Sequence, residues 1–206
     1  MKKLVAFFAL VLLLPLIGFS QDLDKIEYIS PFNDGLASVK KGNEWGFINT
    51  NGDLVIDFRT DVVLSKVGDL NYPVFSDDRC LIVEDRDGIS YFGYINATGE
   101  TIIEPQFLNA TNFKGSKAIA LELVKKDLGK NDLLGKPIVS YDYFEVVIDV
   151  NGNVEHYLFM DPVHVALSKK YIRQPPKITS KILSDSAYAT LGENNTWEIK
   201  KFDLKQ

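Results

Sequence analysis

Two histidines, His156 and His164, one cysteine, Cys80, and the carboxylates Asp77, Asp78, Glu84, Asp85 and Asp87 are the groups in this 206-residue chain whose types suit acid–base, nucleophilic or metal chemistry. None sits in a spacing that a known reaction requires. No serine or cysteine carries a nucleophile-elbow pattern, and there is neither a phosphate-cradling glycine loop nor a zinc spacing. Asp149-x-Asn151-Gly152-Asn153 has the outline of a calcium loop. It has too few carboxylates in register, and Met160 stands where the closing glutamate of such a loop belongs. The expectation is therefore no catalytic residue, no metal and no cofactor. A hydrolase using Asp, Glu or His residues of the third repeat's long loop and the carboxy-terminal segment is the alternative.

Aromatic residues are the other source of function. Tyr91, Tyr141 and Tyr143 fall in flanks read as irregular and are the expected ligand surface for a protein or glycan. Trp45 with Phe47, and Phe92 with Tyr94, would make a stacking platform if exposed. Their recurrence at one repeat position makes them core instead.

That repeat is visible around three glycines. "WGFINTNGDLVI" surrounds Gly52, "FGYINATGETII" surrounds Gly99 and "EVVIDVNGNVEH" surrounds Gly152. Asn49, Asn96 and Asp149 each precede the glycine by three residues. Asn or Asp at the first position and Gly at the fourth favour a type I turn with a left-handed glycine, so each frame predicts a hairpin with a glycine bulge. The predicted pairs are Ile48 with Leu54, Gly46 with Ile56, and Phe47 with Val55, with His156 opposite Val146. Both hairpin faces are then apolar and need covering. Gly46 and Gly93 leave room for a neighbour against the backbone.

Upstream of each hairpin lies a strand-like segment beginning at Phe32, Phe75 and Phe113, with a small residue five later: Ala37, Cys80 and Ala118. Cys80 in an alanine column reads as packed rather than reactive. Each unit is expected to be a lone strand followed by a hairpin. Lys125 to Tyr143 is an expected loop insertion in the third.

These residues resemble the bacterial WG-repeat proteins, whose units carry Phe-x-x-Gly-Leu-Ala-x-Val and then a Trp-Gly-aromatic-Ile hairpin. Unit one matches through Phe32, Gly35, Leu36, Ala37, Val39, Trp45, Gly46, Phe47, Ile48, Asn49 and Gly52. Unit two keeps Phe92, Gly93, Tyr94, Ile95 and Gly99, and unit three has Glu145 and Val146 in place of the signature pair. The resemblance implies a repeat body and no common catalytic activity.

The expected fold is all-β, an antiparallel body of about three three-stranded units with one short helix and a carboxy-terminal hairpin. Residues 21–160 form the repeat region. Residues 161–206 supply the helix, with Asp161 as N-cap and Pro162 at its first position, and then a hairpin packing on the body. Whether Trp197 belongs to a fourth unit stays open.

Residues 1–20 place Lys2 and Lys3 before an apolar run from Leu4 to Leu14, then Pro15, Gly18 and Ser20. That is the pattern of a secretory signal peptide cleaved near Ser20-Gln21, giving a secreted or periplasmic chain with no membrane span. Its removal leaves 21 basic and 28 acidic residues, a net charge of −7 where the whole chain has −5. An acidic chain of this kind is a poor nucleic-acid binder. One cysteine allows no internal disulfide.

Overall fold

The computed structural model describes residues 23–130, 135–192 and 194–202; the expected signal peptide and its cleavage point lie outside them. Unit one contains β1 (Tyr28–Ile29), β2 (Leu36–Lys41), β3 (Glu44–Asn49) and β4 (Leu54–Arg59). A small hairpin follows, β5 (Ser65–Val67) with β6 (Leu70–Tyr72). Unit two contains β7 (Phe75–Ser76), β8 (Arg79–Arg86), β9 (Ile89–Ile95) and β10 (Thr101–Phe107). Unit three contains β11 (Lys117–Lys130), β12 (Pro137–Asp149) and β13 (Val154–Tyr157), with β14 (Val163–Val165) added beside β12. A last sheet holds β15 (Ser180–Ser184), β16 (Ala187–Leu191) and β17 (Trp197–Lys201). All of these pairings are antiparallel, so the chain is all-β and built from repeated antiparallel sheets.

The glycine turns form as their residues dictate. Gly52, Gly99 and Gly152 have φ of 86°, 85° and 84°. In each turn the glycine N–H donates to the Asn or Asp carbonyl three residues back, at 3.0, 2.9 and 2.9 Å. The side-chain Oδ1 of Asn49, Asn96 and Asp149 accepts two further amide bonds, from Asn51 and Asp53, Thr98 and Glu100, and Asn151 and Asn153. Asx chemistry thus locks every turn.

Beyond the turn the register differs from the expected one. Ile48 pairs with Leu54, but Phe47 then lies opposite Ile56, and Trp45 opposite Arg59. Val55 is an extra, bulged residue turned towards solvent. The same slip recurs in unit three, where Val147 and not Val146 faces His156, leaving Glu155 bulged. In unit two Ile102 fills this column, and it too is exposed. On the outgoing strand this column faces solvent, whereas the incoming strand is covered on both faces, Ile95 packing with unit one and Tyr94 with unit three.

The upstream segment is also more than a lone strand. Asn33 bridges Leu36, Ser76 pairs with Arg79, and Lys114 bridges Lys117. The two intervening residues in each case have positive φ: Asp34 and Gly35, Asp77 and Asp78, Gly115 and Ser116. These are two-residue hairpins of the type whose twist matches the strands. Their first arm is too short to announce itself by alternation.

Two further expectations are corrected in the carboxy-terminal half. Lys125 to Tyr143 does not form a loop over its described residues; β11 and β12 run on through it, pairing Lys125 with Tyr141, Lys126 with Ser140 and Asp127 with Val139. The helix expected after Asp161 is absent from the described residues. Val163, His164 and Val165 pair with Tyr143, Asp142 and Tyr141 on the edge that the long β12 presents. Two β-branched residues beside an open edge favour a strand, and only one turn survives at Ser168, where Tyr171 and Ile172 donate back to its carbonyl.

Register also resolves the position of Trp197. Trp45 pairs with Lys40, Phe92 with Val83, Glu145 with Leu121 and Trp197 with Leu191. Two residues on, Phe47, Tyr94, Val147 and Ile199 pair with Ser38, Leu81, Ile119 and Ala189. The last sheet therefore repeats the register of the other three and is a fourth copy, without an outgoing strand among the described residues.

The core lies between successive units. Trp45, Phe47 and Ile56 of unit one pack with Val62, Phe75, Cys80 and Ile82 of unit two or its entry segment. Tyr94 and Ile103 of unit two pack with Phe113, Ala118, Ala120, Val146 and Ile148 of unit three. Val147 and Leu158 meet Tyr188 of unit four.

Candidate functional site

Among the sequence-marked residues, most of the structural set is buried, and the turn glycines Gly52, Gly99 and Gly152 are exposed or half-buried. Ala37, Trp45, Gly46, Phe75, Cys80, Phe92, Gly93, Phe113 and Ala118 are buried. Phe32 and Gly35 are exposed, Gly35 in a tight turn whose counterparts Asp78 and Ser116 are exposed as well. Gly46 is overlain by Leu54 and Phe58 side chains, and Gly93 by the backbone of β10, so a Cβ at Gly93 would lie 2.3 Å from the Ile103 carbonyl oxygen. Burial pushes the Cys80 thiol up to about 12, partly opposed by Arg59. Such a thiol stays protonated and unreactive.

The expected ligand tyrosines lie in strands rather than irregular flanks, and two of them line one groove. Tyr91 on β9 and Tyr141 on β12 line one groove of about 610 Å³ between units two and three, together with Arg86, Gln106, Glu122 and Leu167. Below it, Ile89, Leu108, Leu121 and Ile172 form a buried cluster that holds Tyr91, Tyr143 and Leu167 in place. Tyr143 opens instead onto a neighbouring cavity of about 300 Å³ beside Phe159, Met160 and Glu145.

Arg86 borders the groove because of a local turn. Arg86 pairs with Ile89 across Asp87 and Gly88, both at positive φ. The guanidinium carbon stands 4.9 Å from the Tyr91 ring centroid, and Nη2 donates to Glu84 at 2.9 Å and to the Pro105 carbonyl. Across the groove, Glu122 accepts from the Tyr157 hydroxyl at 3.0 Å. Arg86, Gln106 and Glu122 were missed in the sequence. The Asp87-Gly88 pair between alternating strands was the available signal for the first of them.

The histidines do not join this groove. His164 meets Asp142 through Nδ1 at 3.0 Å, and the Ser140 hydroxyl approaches the same nitrogen at 3.4 Å. A serine relay needs the carboxylate and hydroxyl on opposite ring nitrogens, so this trio cannot pass a proton from serine. The imidazole is also 72% exposed. Lys126, at 2.6 Å, and then His164 hold the Asp142 carboxyl below its usual range. His156 lies 3.3 Å from the Tyr188 hydroxyl and packs edge-on against Tyr188 and Phe202. At Asp149, burial works against ionisation but the bonds from Asn153 and Asn151 win, holding its carboxyl low. That carboxylate is occupied by its turn, and no cluster of three or more metal-ligating side chains exists among the described residues.

Glu145, in the column of Trp45 and Phe92, is buried and binds the entry of unit four. Its oxygens accept from Thr179 N at 3.0 and 3.2 Å, Thr179 Oγ1 at 2.9 Å and Ser180 N at 2.7 Å. Loss of the signature aromatic thus has a structural cause. No helix among the described residues is long and apolar enough to cross a membrane.

The model of the family described as "WG containing repeat" matches residues 25–45, 45–61 and 92–122. These spans take in unit one, the hairpin of unit two and the start of β11. No curated protein and no solved structure matches the chain.

Proposed function

We propose that this chain, a WG-repeat containing protein, acts as a non-catalytic binding or scaffolding module whose ligand, a protein segment or a glycan, seats in the groove between units two and three. The observation that carries this reading is that Tyr91 and Tyr141, from different units, line one concave surface bordered by a guanidinium, an amide and a carboxylate. Planar aromatic faces with a few directional polar groups suit extended ligands of modest polarity. The apolar run at residues 4–14 supports a site of action outside the cytoplasm.

Peptide and glycan arrays probed with the whole chain test the reading. Tyr141→Ala and Gln106→Ala should each weaken the selected ligand by about tenfold or more while leaving the melting transition unchanged. Retention of full affinity in both variants overturns the groove as the site. Absence of any array ligand, combined with turnover of a hydrolase substrate, overturns the binding function itself.

A further inference from the structure

The edge of β11 that faces away from β12 is paired along only part of its length. Leu108 N donates to the Leu121 carbonyl at 3.0 Å, Leu121 N to the Asn109 carbonyl at 2.8 Å and Thr111 N to the Ile119 carbonyl at 2.9 Å, so residues 108–111 lie along this edge as an added strand. Ile119 and Leu121 therefore turn their backbone groups outward. By the two-residue period of a strand Leu123, Lys125 and Asp127 do the same, since β11 and β12 keep an unbroken register from Lys117 to Asp127. Among the described residues nothing pairs with the backbone of these three on the outer side.

The groove between units two and three reaches around that open edge. Glu122 and Leu123 are consecutive, so their side chains leave β11 on opposite faces: Glu122 meets the Tyr157 hydroxyl at 3.0 Å, and Leu123 packs with Leu121, Tyr91 and Tyr143. Both nevertheless line the groove. One cavity touches both faces of a strand only by passing its free edge. Gln106 and Phe107 line the groove where the added strand stops, because they belong to β10 and pair with β9 instead. Further out, the exposed Lys125, Lys126 and Asp127 place charges along β11, which guards its tip against indiscriminate pairing.

We infer that the occupant of this groove is an extended peptide that adds to β11 at Leu123 and Lys125, continuing the line of pairing that residues 108–111 begin. This rests on the groove being the binding site, and it selects a protein segment over a glycan. The reason is the arrangement of the free groups. N–H and C=O of every second residue, set in one row, are matched by another polypeptide in β conformation, and a sugar chain has no such repeat of donors and acceptors. Side chains of the peptide then alternate, as those of β11 do, between the side of Tyr91 and Leu123 and the side of Glu122. An aliphatic or aromatic residue suits the first, and a residue with a hydrogen-bond donor suits the second.

Selection of random linear peptides of about eight residues, the length of an ordinary strand, against the whole chain supplies the probe. In the free protein the amides of Leu123 and Lys125 should exchange with deuterium fast and those of Glu122 and Val124 slowly, and the selected peptide should protect the fast pair. Methylating the peptide's backbone nitrogens one at a time should weaken binding about tenfold or more at alternate positions only, where each methyl removes a strand-to-strand hydrogen bond. Lys125→Pro, which deletes one outward N–H and none that bonds to β12, should lose a similar factor, with a circular dichroism melt to check its fold. Should that variant fold poorly, the methylated peptides answer the question on the parent protein. A selected peptide that Tyr141→Ala weakens but that no backbone methylation weakens leaves the groove as the site and overturns strand addition. A library that yields no binder overturns it too, whether or not a glycan binds. Slow exchange at Leu123 and Lys125 in the free chain would show the edge already filled, and overturns it equally.

Discussion

The ring of Phe75 meets that of Phe47 at 4.8 Å with an interplanar angle of 82°, and Phe113 meets Tyr94 at 4.7 Å and 62°. One edge-to-face contact is thus used twice, each time between a hairpin aromatic and the first residue of the next unit. Truncating a fully buried phenylalanine costs about 3–5 kcal/mol, and an exposed one far less. Phe75→Ala and Phe113→Ala should therefore lower the denaturant midpoint strongly, and Phe32→Ala should barely move it. Equal effects at all three positions would remove the stacked-junction account.

A related asymmetry is expected among the turn glycines. Gly52, Gly99 and Gly152 share a left-handed backbone that alanine resists, at about 1 kcal/mol. A Cβ at Gly52 would meet nothing within 4 Å, but at Gly99 it would lie 3.1 Å from Ile56 Cγ2, and at Gly152 3.0 Å from Ile103 Cγ2. Gly52→Ala should show the backbone cost alone, while Gly99→Ala and Gly152→Ala lose more. Thermal melts of the three variants order them. A Gly52 variant as unstable as the others would contradict the stacking of turns on isoleucines.

Glu145 tethers the fourth unit. Glu145→Ala removes the acceptor for the Thr179 and Ser180 amides and the Thr179 hydroxyl, and unsatisfied buried donors cost about 1–3 kcal/mol. Hydrogen exchange should then speed up first at residues 179–191, with units one and two still protected. Exchange that rises uniformly along the chain would show the tether to be part of a single cooperative body.

Much of this architecture was legible because the turn chemistry is local. Asn49, Asn96 and Asp149 determine their loops within five residues, and the small column of Ala37, Cys80 and Ala118 follows from close packing of neighbours. The bulge at Val55 was not legible: it depends on how β4 folds over Gly46, a tertiary fact. The helix expected after Asp161 failed for a similar reason. Val163–Val165 answers to the edge of β12, which exists only because the third hairpin is extended. The fourth unit was hidden by substitution, with Tyr188 in the alanine column and no glycine turn after Trp197. Of the candidate site, the tyrosines could be named, but their shared groove could not, since Tyr91 and Tyr141 belong to different units.

Cys80 offers the last test, and it bears on both core and function. The thiol is fully buried at the junction of units one and two, with its acidity suppressed by burial from an ordinary value of 9.0 to about 12. A raised thiol pKa favours the folded state while the thiol is protonated. This contribution is complete below about pH 9 and is lost as pH rises towards 12. Cys80→Ala, costing about 1 kcal/mol at neutral pH, should flatten the decline in stability over that window relative to the parent. Native labelling with a disulfide reagent near pH 8 should proceed only at the rate at which the junction opens, and should accelerate with denaturant. Fast labelling of the folded chain, or a parent and variant with the same alkaline slope, would place the thiol at the surface and break the junction that Phe47 and Phe75 define.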